Sequence, residues 1–354
     1  MNSKDRVLTA IHHEEPDRVP MDYMYNPGID ARLKNHFNLA EDDNDGLCSA
    51  LGVDFRRVDA PYVGPELHEP EPERLVSIWG IRRRWVKHDS GGYWDYCDFP
   101  LRDASLEDIM SWPLPNPDDF DYAALTAACR KHHDCCVVYG SPGLGDVMNK
   151  TGMLRGVDQA MMGLATEEPA QLALMDRKVD IDSAVLERVL DAADGGVDLI
   201  WMGEDLGTQR GPIISLAMFR NHVRPRLQKI VDVAKAFGVP VMIHSCGSSS
   251  WAFPDFIEMG IQVVDTLQPE AKDMEPAHLK REFGNQLSFH GMISTGGAVA
   301  TGRVDDVVNE VRETLDIMMP GGGYCLVTSH QLQDNSPTEN VLAMYEAGRT
   351  YGVY

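Results

Sequence analysis

The chain has 354 residues, with 55 acidic side chains against 32 lysines and arginines and a formal charge of −23. A polypeptide this acidic is repelled by phosphate backbones and anionic bilayers, so neither nucleic acid nor a membrane is an expected partner. Met1 opens no apolar signal core, no apolar stretch reaches membrane-spanning length, and of seven cysteines only Cys135 and Cys136 are adjacent; the expectation is a cytoplasmic protein without a disulfide framework.

In chain order, residues 3–14 read as a short helix with Ser3 as its cap, ended at Glu15-Pro16, and Arg18 to Tyr25 reads as a first strand. Two helices are expected over Asp30–Phe37 and Asp42–Leu51, then a short strand over Phe55–Val58. Alternating apolar and polar residues between about 75 and 97, broken at Ser90-Gly-Gly, predict an inserted hairpin. Its aromatic residues either cover a pocket mouth or simply pack. Pro113 to Asp119 reads as a connection. From there helices alternate with strands over residues 135–139, 197–203, 239–247, 261–267, 287–292 and 324–329, and a helix from Thr338 to Tyr351 follows. This rhythm predicts a (βα)8 TIM-type barrel with an added N-terminal β-hairpin and helices, as one domain over residues 1–354.

In such barrels chemistry sits where strands end. Val239 to Gly247 ends in His244 and Cys246, which two residues apart in a strand point to one face. An imidazole and a thiolate together are zinc donors; the bland alternative is a buried cysteine beside a hydrogen-bonded core histidine. Neighbouring strand ends carry Glu204, Asp205, Gln268, His290 and His330, and convergence of such residues favours the metal. For a third ligand there are Cys325, near the start of its strand and better read as a small core residue, and His330, one residue past the strand's other end. Glu204 is a candidate ligand, partner of a ligand or acid/base, or else an anion at a helix start; Asp205 and Gln209 either hold substrate or order their loop. Tyr23, Met24, Trp85, Tyr96 and Met148 are candidate lining for an apolar aromatic guest, although such residues also fill cores.

The segments Arg6 to Pro20, Glu204-Asp-Leu-Gly-Thr-Gln-Arg-Gly-Pro, Ile243-His-Ser-Cys-Gly, Gly321-Gly-Gly-Tyr and Pro337 to Glu346 resemble the uroporphyrinogen decarboxylase superfamily, and within it the zinc-dependent corrinoid methyltransferases. The resemblance covers nearly the whole chain. It implies a (βα)8 barrel and, in the thiol-methylating branch, zinc on a His-x-Cys pair plus a later Cys. His244 and Cys246 match the pair, and by register with Pro337-Thr-Glu-Asn the later Cys falls at His330. One thiolate fewer leaves the metal a stronger Lewis acid, which favours demethylation of an O-methyl, methoxyaromatic compound over thiol methylation. The expected cofactors are Zn2+ and a corrinoid supplied by a partner protein, because the chain holds no Asp-x-His-x-x-Gly corrinoid motif. Glu204 and Asp205 are the expected catalytic residues, Tyr23, Met24, Gln209, Gln268 and His290 the expected substrate contacts. Superfamily relatives often pair, which makes a homodimer one expected state. Three alternatives remain: methylcorrinoid-to-thiol transfer, a non-catalytic ligand-binding barrel, and uroporphyrinogen decarboxylation. The last lacks its Arg-bearing Met-Arg-Gln-Ala-Gly-Arg motif here, where Arg32 stands alone.

Overall fold

The computed structural model describes residues 1–88 and 91–354, so the predicted hairpin break at Ser90 lies outside the described residues. Helix α1 (Ser3–Ile11) starts one residue earlier than a Ser3 cap would allow. Asn2 accepts the Asp5 N–H at 2.7 Å, while the Ser3 hydroxyl donates to Asp54 at 2.8 Å and ties the helix to the barrel floor. Helices α2 (Pro27–His36) and α3 (Asn44–Leu51) follow, the latter ended by Gly52 in the left-handed region, and lead into strand β1 (Phe55–Val58). Strands β2 (Leu75–Val76), β3 (Arg82–His88) and β4 (Gly91–Cys97) form a separate antiparallel sheet where the alternation predicted it. Helix α4 (Leu106–Ser111), held by a Ser105/Asp108 capping box, is not revealed by the periodicity, because two turns offer too little pattern.

The barrel then proceeds through α5 (Tyr122–Lys131), β5 (Cys136–Gly140), α6 (Met148–Arg155), α7 (Val157–Ala165), α8 (Pro169–Ala193), β6 (Leu199–Gly203), α9 (Leu216–Met218), a π turn and α10 (Arg224–Ala236). It continues with β7 (Val241–His244), α11 (Phe253–Met259), β8 (Val263–Leu267), α12 (Pro276–Phe283), β9 (Ser288–Ile293), α13 (Ala298–Thr301), α14 (Val304–Met318), β10 (Tyr324–Thr328) and α15 (Thr338–Tyr351). Strands β1, β5, β6, β7, β8, β9 and β10 pair in that order and in parallel. Most of their residues are buried, which is why they read as continuous apolar runs rather than alternating ones.

Arg18 to Tyr25 is not a regular strand. It forms isolated bridges at Arg18, Met21 and Tyr25, and Pro20 has no N–H to give to a ladder. The segment nevertheless fills the gap between the two ends of the sheet. Toward β10, Asp22 N–H donates to Leu326 at 3.1 Å and Leu326 N–H to Pro20 at 2.8 Å; toward β1, Asp54 N–H donates to Met21 at 2.8 Å. An extended stave therefore closes seven strands into a TIM-type barrel. One large core fills it, and a smaller cluster of Ile81, Leu101, Ile109, Leu154, Ala170 and Leu174 anchors the three-stranded sheet on α4, α6 and α8.

Candidate metal centre and its cavity

His244 is the last residue of β7, and Cys246 lies beyond the strand end, on the loop that follows. The ligand atoms of His244, Cys246 and His330 lie within 4.8 Å of one another. Sγ of Cys246 is 3.4 Å from Nε2 of His244, and the His244 and His330 rings meet edge to face at 5.7 Å. All three stand at the C-terminal end of the strands, around a cavity of roughly 390 Å³ that His244 and His330 line. That volume falls in the range of small-molecule sites.

The orientation of His244 is set from below. Asp265 on β8 accepts from Nδ1 of His244 at 2.8 Å, which leaves Nε2 toward Cys246. A register shift between Asp265 and Leu267 makes this possible. Thr266 sits in the bulge with φ 62°, a conformation a β-branched residue rarely holds, and its hydroxyl also reaches His244. Asp265 also accepts Trp201 Nε1–H at 3.0 Å and His290 Nδ1–H at 2.7 Å. On the other side of His290, Asp22 receives Nε2 at 3.0 Å and pairs with Arg57 at 2.6 Å. Arg57 in turn lies over the Trp201 ring at 4.7 Å. The result is a chain from the partly exposed Arg57 through the buried Asp22, His290 and Asp265 to His244.

Burial opposes charge on His290, but hydrogen bonds and charge from Asp22 and Asp265 outweigh it and raise the imidazole to about 9. Hydrogen bonds and charge from His244 and His290 hold Asp265 far below the ordinary carboxylate range against its own desolvation. Around the ligands, burial pushes the Cys246 thiol up and His330 down. His244 is raised despite burial, because Asp265 and Cys246 favour its proton.

Glu204 and Asp205 both line the cavity. Glu204 Oε2 accepts the N–H groups of Val147 and Met148 at 2.9 and 3.0 Å, at the start of α6, whereas Oε1 is buried without a partner. Burial, with the Asp146 charge beside it, raises this carboxyl well above the usual range. Asp205 accepts the Cys246 N–H at 2.9 Å and Asn149 Nδ2–H at 3.1 Å, so it joins the β6 loop to the ligand loop. Of the expected substrate contacts, Met24 lines the cavity. Tyr23, its neighbour on an extended segment, points the other way, stacking on Tyr25 at 4.5 Å. Gln268 supports the ligand loop by accepting the Gly247 N–H at 2.6 Å. Gln209 is exposed, and His290 is wholly buried with both ring nitrogens engaged, so neither meets the cavity. Met148 and Cys325 lie in the core, Trp85 is half exposed on β3, and Tyr96 packs against the smaller cluster.

Among the cavity residues that sequence reasoning missed are Asp146, Asn149, Lys150 and Met153, with Trp201 from β6. The first four follow the Gly-rich stretch Ser141-Pro-Gly-Leu-Gly, directly after an apolar strand. That is the same strand-end signal, and applied to β5 it would have pointed to them.

Residues 138–351 match the model of the uroporphyrinogen decarboxylase (URO-D) family. Uroporphyrinogen decarboxylases of Bacillus thuringiensis (strain Al Hakam) and Bacillus cereus (strain AH187) are each 24% identical over 258 residues, 68% of this chain and 68% of theirs. Among solved structures, a methyltransferase from Methanosarcina mazei superposes with a TM-score of 0.68 at 18% identity, over 99% of this chain and 98% of that one, a likeness of fold.

Proposed function

We propose, from the premise that this chain belongs to the uroporphyrinogen decarboxylase family, that it is a methyltransferase. In this reading it takes a methyl group from a small O-methyl compound, a methoxyaromatic being the best fit, and passes it to the cobalt of a separate corrinoid protein. The observation that carries the reading is the meeting of His244, Cys246 and His330, two of which line the cavity. Two imidazoles and one thiolate fit zinc, with a fourth position left for substrate. The carboxylate behind His244 is the partner that metal-binding histidines usually keep. Bound there, zinc would supply Lewis acidity toward an ether oxygen.

The chain's own residues do the rest. Burial and the charge of Asp146 push the Glu204 carboxyl well above the usual range and so favour its protonated form. Its Oε2 accepts two backbone N–H groups, which leaves Oε1, beside Asp146, as the oxygen to carry a proton. From there it can pass to the oxygen that loses its methyl group. Met24, Met153 and Trp201 supply apolar walls that hold the guest and exclude water. The lining disfavours decarboxylation of a polycarboxylate: Asp146, Glu204 and Asp205 stand on it, against Lys150 as its single Lys or Arg.

The test is a screen of methyl ethers for methyl transfer to free cob(I)alamin, followed by the visible spectrum. A donor is expected, and Glu204→Gln should slow transfer by about 10²- to 10⁴-fold while zinc stays bound. If the zinc-loaded chain instead transfers methyl groups only from methylcobalamin to thiols, the direction proposed is wrong.

A further inference from the structure

Lys150 sits in the first turn of α6 and lines two cavities, the metal-bearing one and a second of about 410 Å³, which share Ser141 and Gly143. Its ammonium rests on Gly143, where a Cβ would stand 3.0 Å from Nζ. Lys178, on α8, is held by Asp182 and by the Gly143 carbonyl at 3.0 Å. Lys150 has no such bond: among the described residues neither it nor Arg83 of β3 makes an ion pair or side-chain hydrogen bond. Burial, with Lys178 and Arg83 adding to it against the pull of Asp146, pushes the Lys150 ammonium down. Arg83 is lowered by burial alone. A half-buried, unpaired ammonium on a cavity wall, with the charge of Arg83 behind it, is unfavourable unless an anion joins it.

We infer that Lys150, backed by Arg83, is the anion-binding end of the cavity, and that the methyl donor carries a carboxylate there while its methylated end reaches His244, Cys246 and His330. This rests on the methyl-transfer reading for the donor's identity, but the anion site can be tested without metal, corrinoid or turnover. One cation at the lining suits one carboxylate rather than several.

The test compares binding of 4-methoxybenzoate and its neutral isostere 4-methoxybenzamide to the full chain by calorimetry, with no corrinoid present. The acid is expected to bind at least about tenfold more tightly, as a charge-assisted contact in a sheltered site would give. Lys150→Met should bring acid and amide to parity while amide affinity holds, Lys150→Arg should keep the preference, and Arg83→Met, at a half-exposed strand position, should weaken it about threefold. Parity in the unaltered chain, no binding of the acid, or a preference that survives both Lys150→Met and Arg83→Met overturns the proposal. A chain that shows the preference but has no zinc and transfers no methyl group overturns the methyl-transfer reading instead.

Discussion

At the scale of single residues, the three donors are unequal in how they are held. His244 is fixed by Asp265, whereas Cys246 and His330 ride on loops, so each should be required for metal but for different reasons. His244→Ala, Cys246→Ala and His330→Ala are each expected to reduce zinc from near stoichiometric to a few tenths per chain or less by elemental analysis; full occupancy in either of the last two would reassign the ligand. Asp265→Asn leaves every donor in place and should weaken zinc by about 10- to 100-fold. His290 makes a separate prediction about pH. Its folded value, about 9, lies above its ordinary 6.5, so the stability it contributes is complete below about 6.5 and is lost as pH rises through 9. Asp22, held down to about 2 from an ordinary 3.8 by Arg57 and His290 against its burial, contributes above 3.8 and loses that contribution as pH falls toward 2. Thermal unfolding midpoints should therefore decline between pH 7 and 9, and His290→Gln should flatten that decline while costing about 3–5 kcal/mol at neutral pH, the usual penalty of breaking a buried pair. An equally steep decline in the variant would assign it to other groups.

Among elements, the loops after β6 and β7 cross closely enough that glycine is required. Gly247 has φ 71°, and a Cβ on it would stand 2.4 Å from the Gly207 carbonyl oxygen. The crossing is tied by the Cys246 N–H to Asp205, the Gly247 N–H to Gln268 and the Ser248 N–H to Thr208. Gly247→Ala should move the thiolate before it unfolds the barrel, because the loop stands outside the strands. The expected outcome is zinc affinity reduced by at least about tenfold, with a stability loss of about 1–2 kcal/mol from the left-handed backbone. Unchanged zinc affinity would mean that Cys246 tolerates the shift. The motif His-x-Cys-Gly marked this place in the sequence, but strand parity alone gave the wrong reason. Cys246 lies past the end of β7, and it is the loop crossing, not the pleat, that brings it toward His244.

At the scale of the whole molecule, barrel closure depends on a segment too irregular to be a strand. Asp54 is wholly buried beneath it, paired with Arg6 at 2.7 Å and Arg18 at 2.8 Å and accepting the Met21 N–H at 2.9 Å. Asp54→Ala leaves two arginines without their shared partner and is expected to cost about 3–5 kcal/mol, with faster amide exchange at Asp22 and Leu326 as the local signature. A midpoint within about a degree of the unaltered chain would show that the stave closes without it. No helix among the described residues is long and apolar enough to cross a membrane. The alternation of apolar strands with helices determined the barrel, since a parallel strand buried on both faces leaves its mark in consecutive residues. The same rule located Glu204, Asp205, His244 and His330, because strand ends face the site in this architecture. Only the tertiary structure decided that His290 braces Asp265 rather than touching a guest, and that Lys150 shares the cavity with the metal ligands. Those assignments depend on a one-residue bulge at Thr266 and on the hydrogen bonds that tie the start of α6 to Glu204 and Asp205, contacts between residues tens of positions apart, and nothing in the local pattern of a sequence encodes which distant neighbour a side chain will meet.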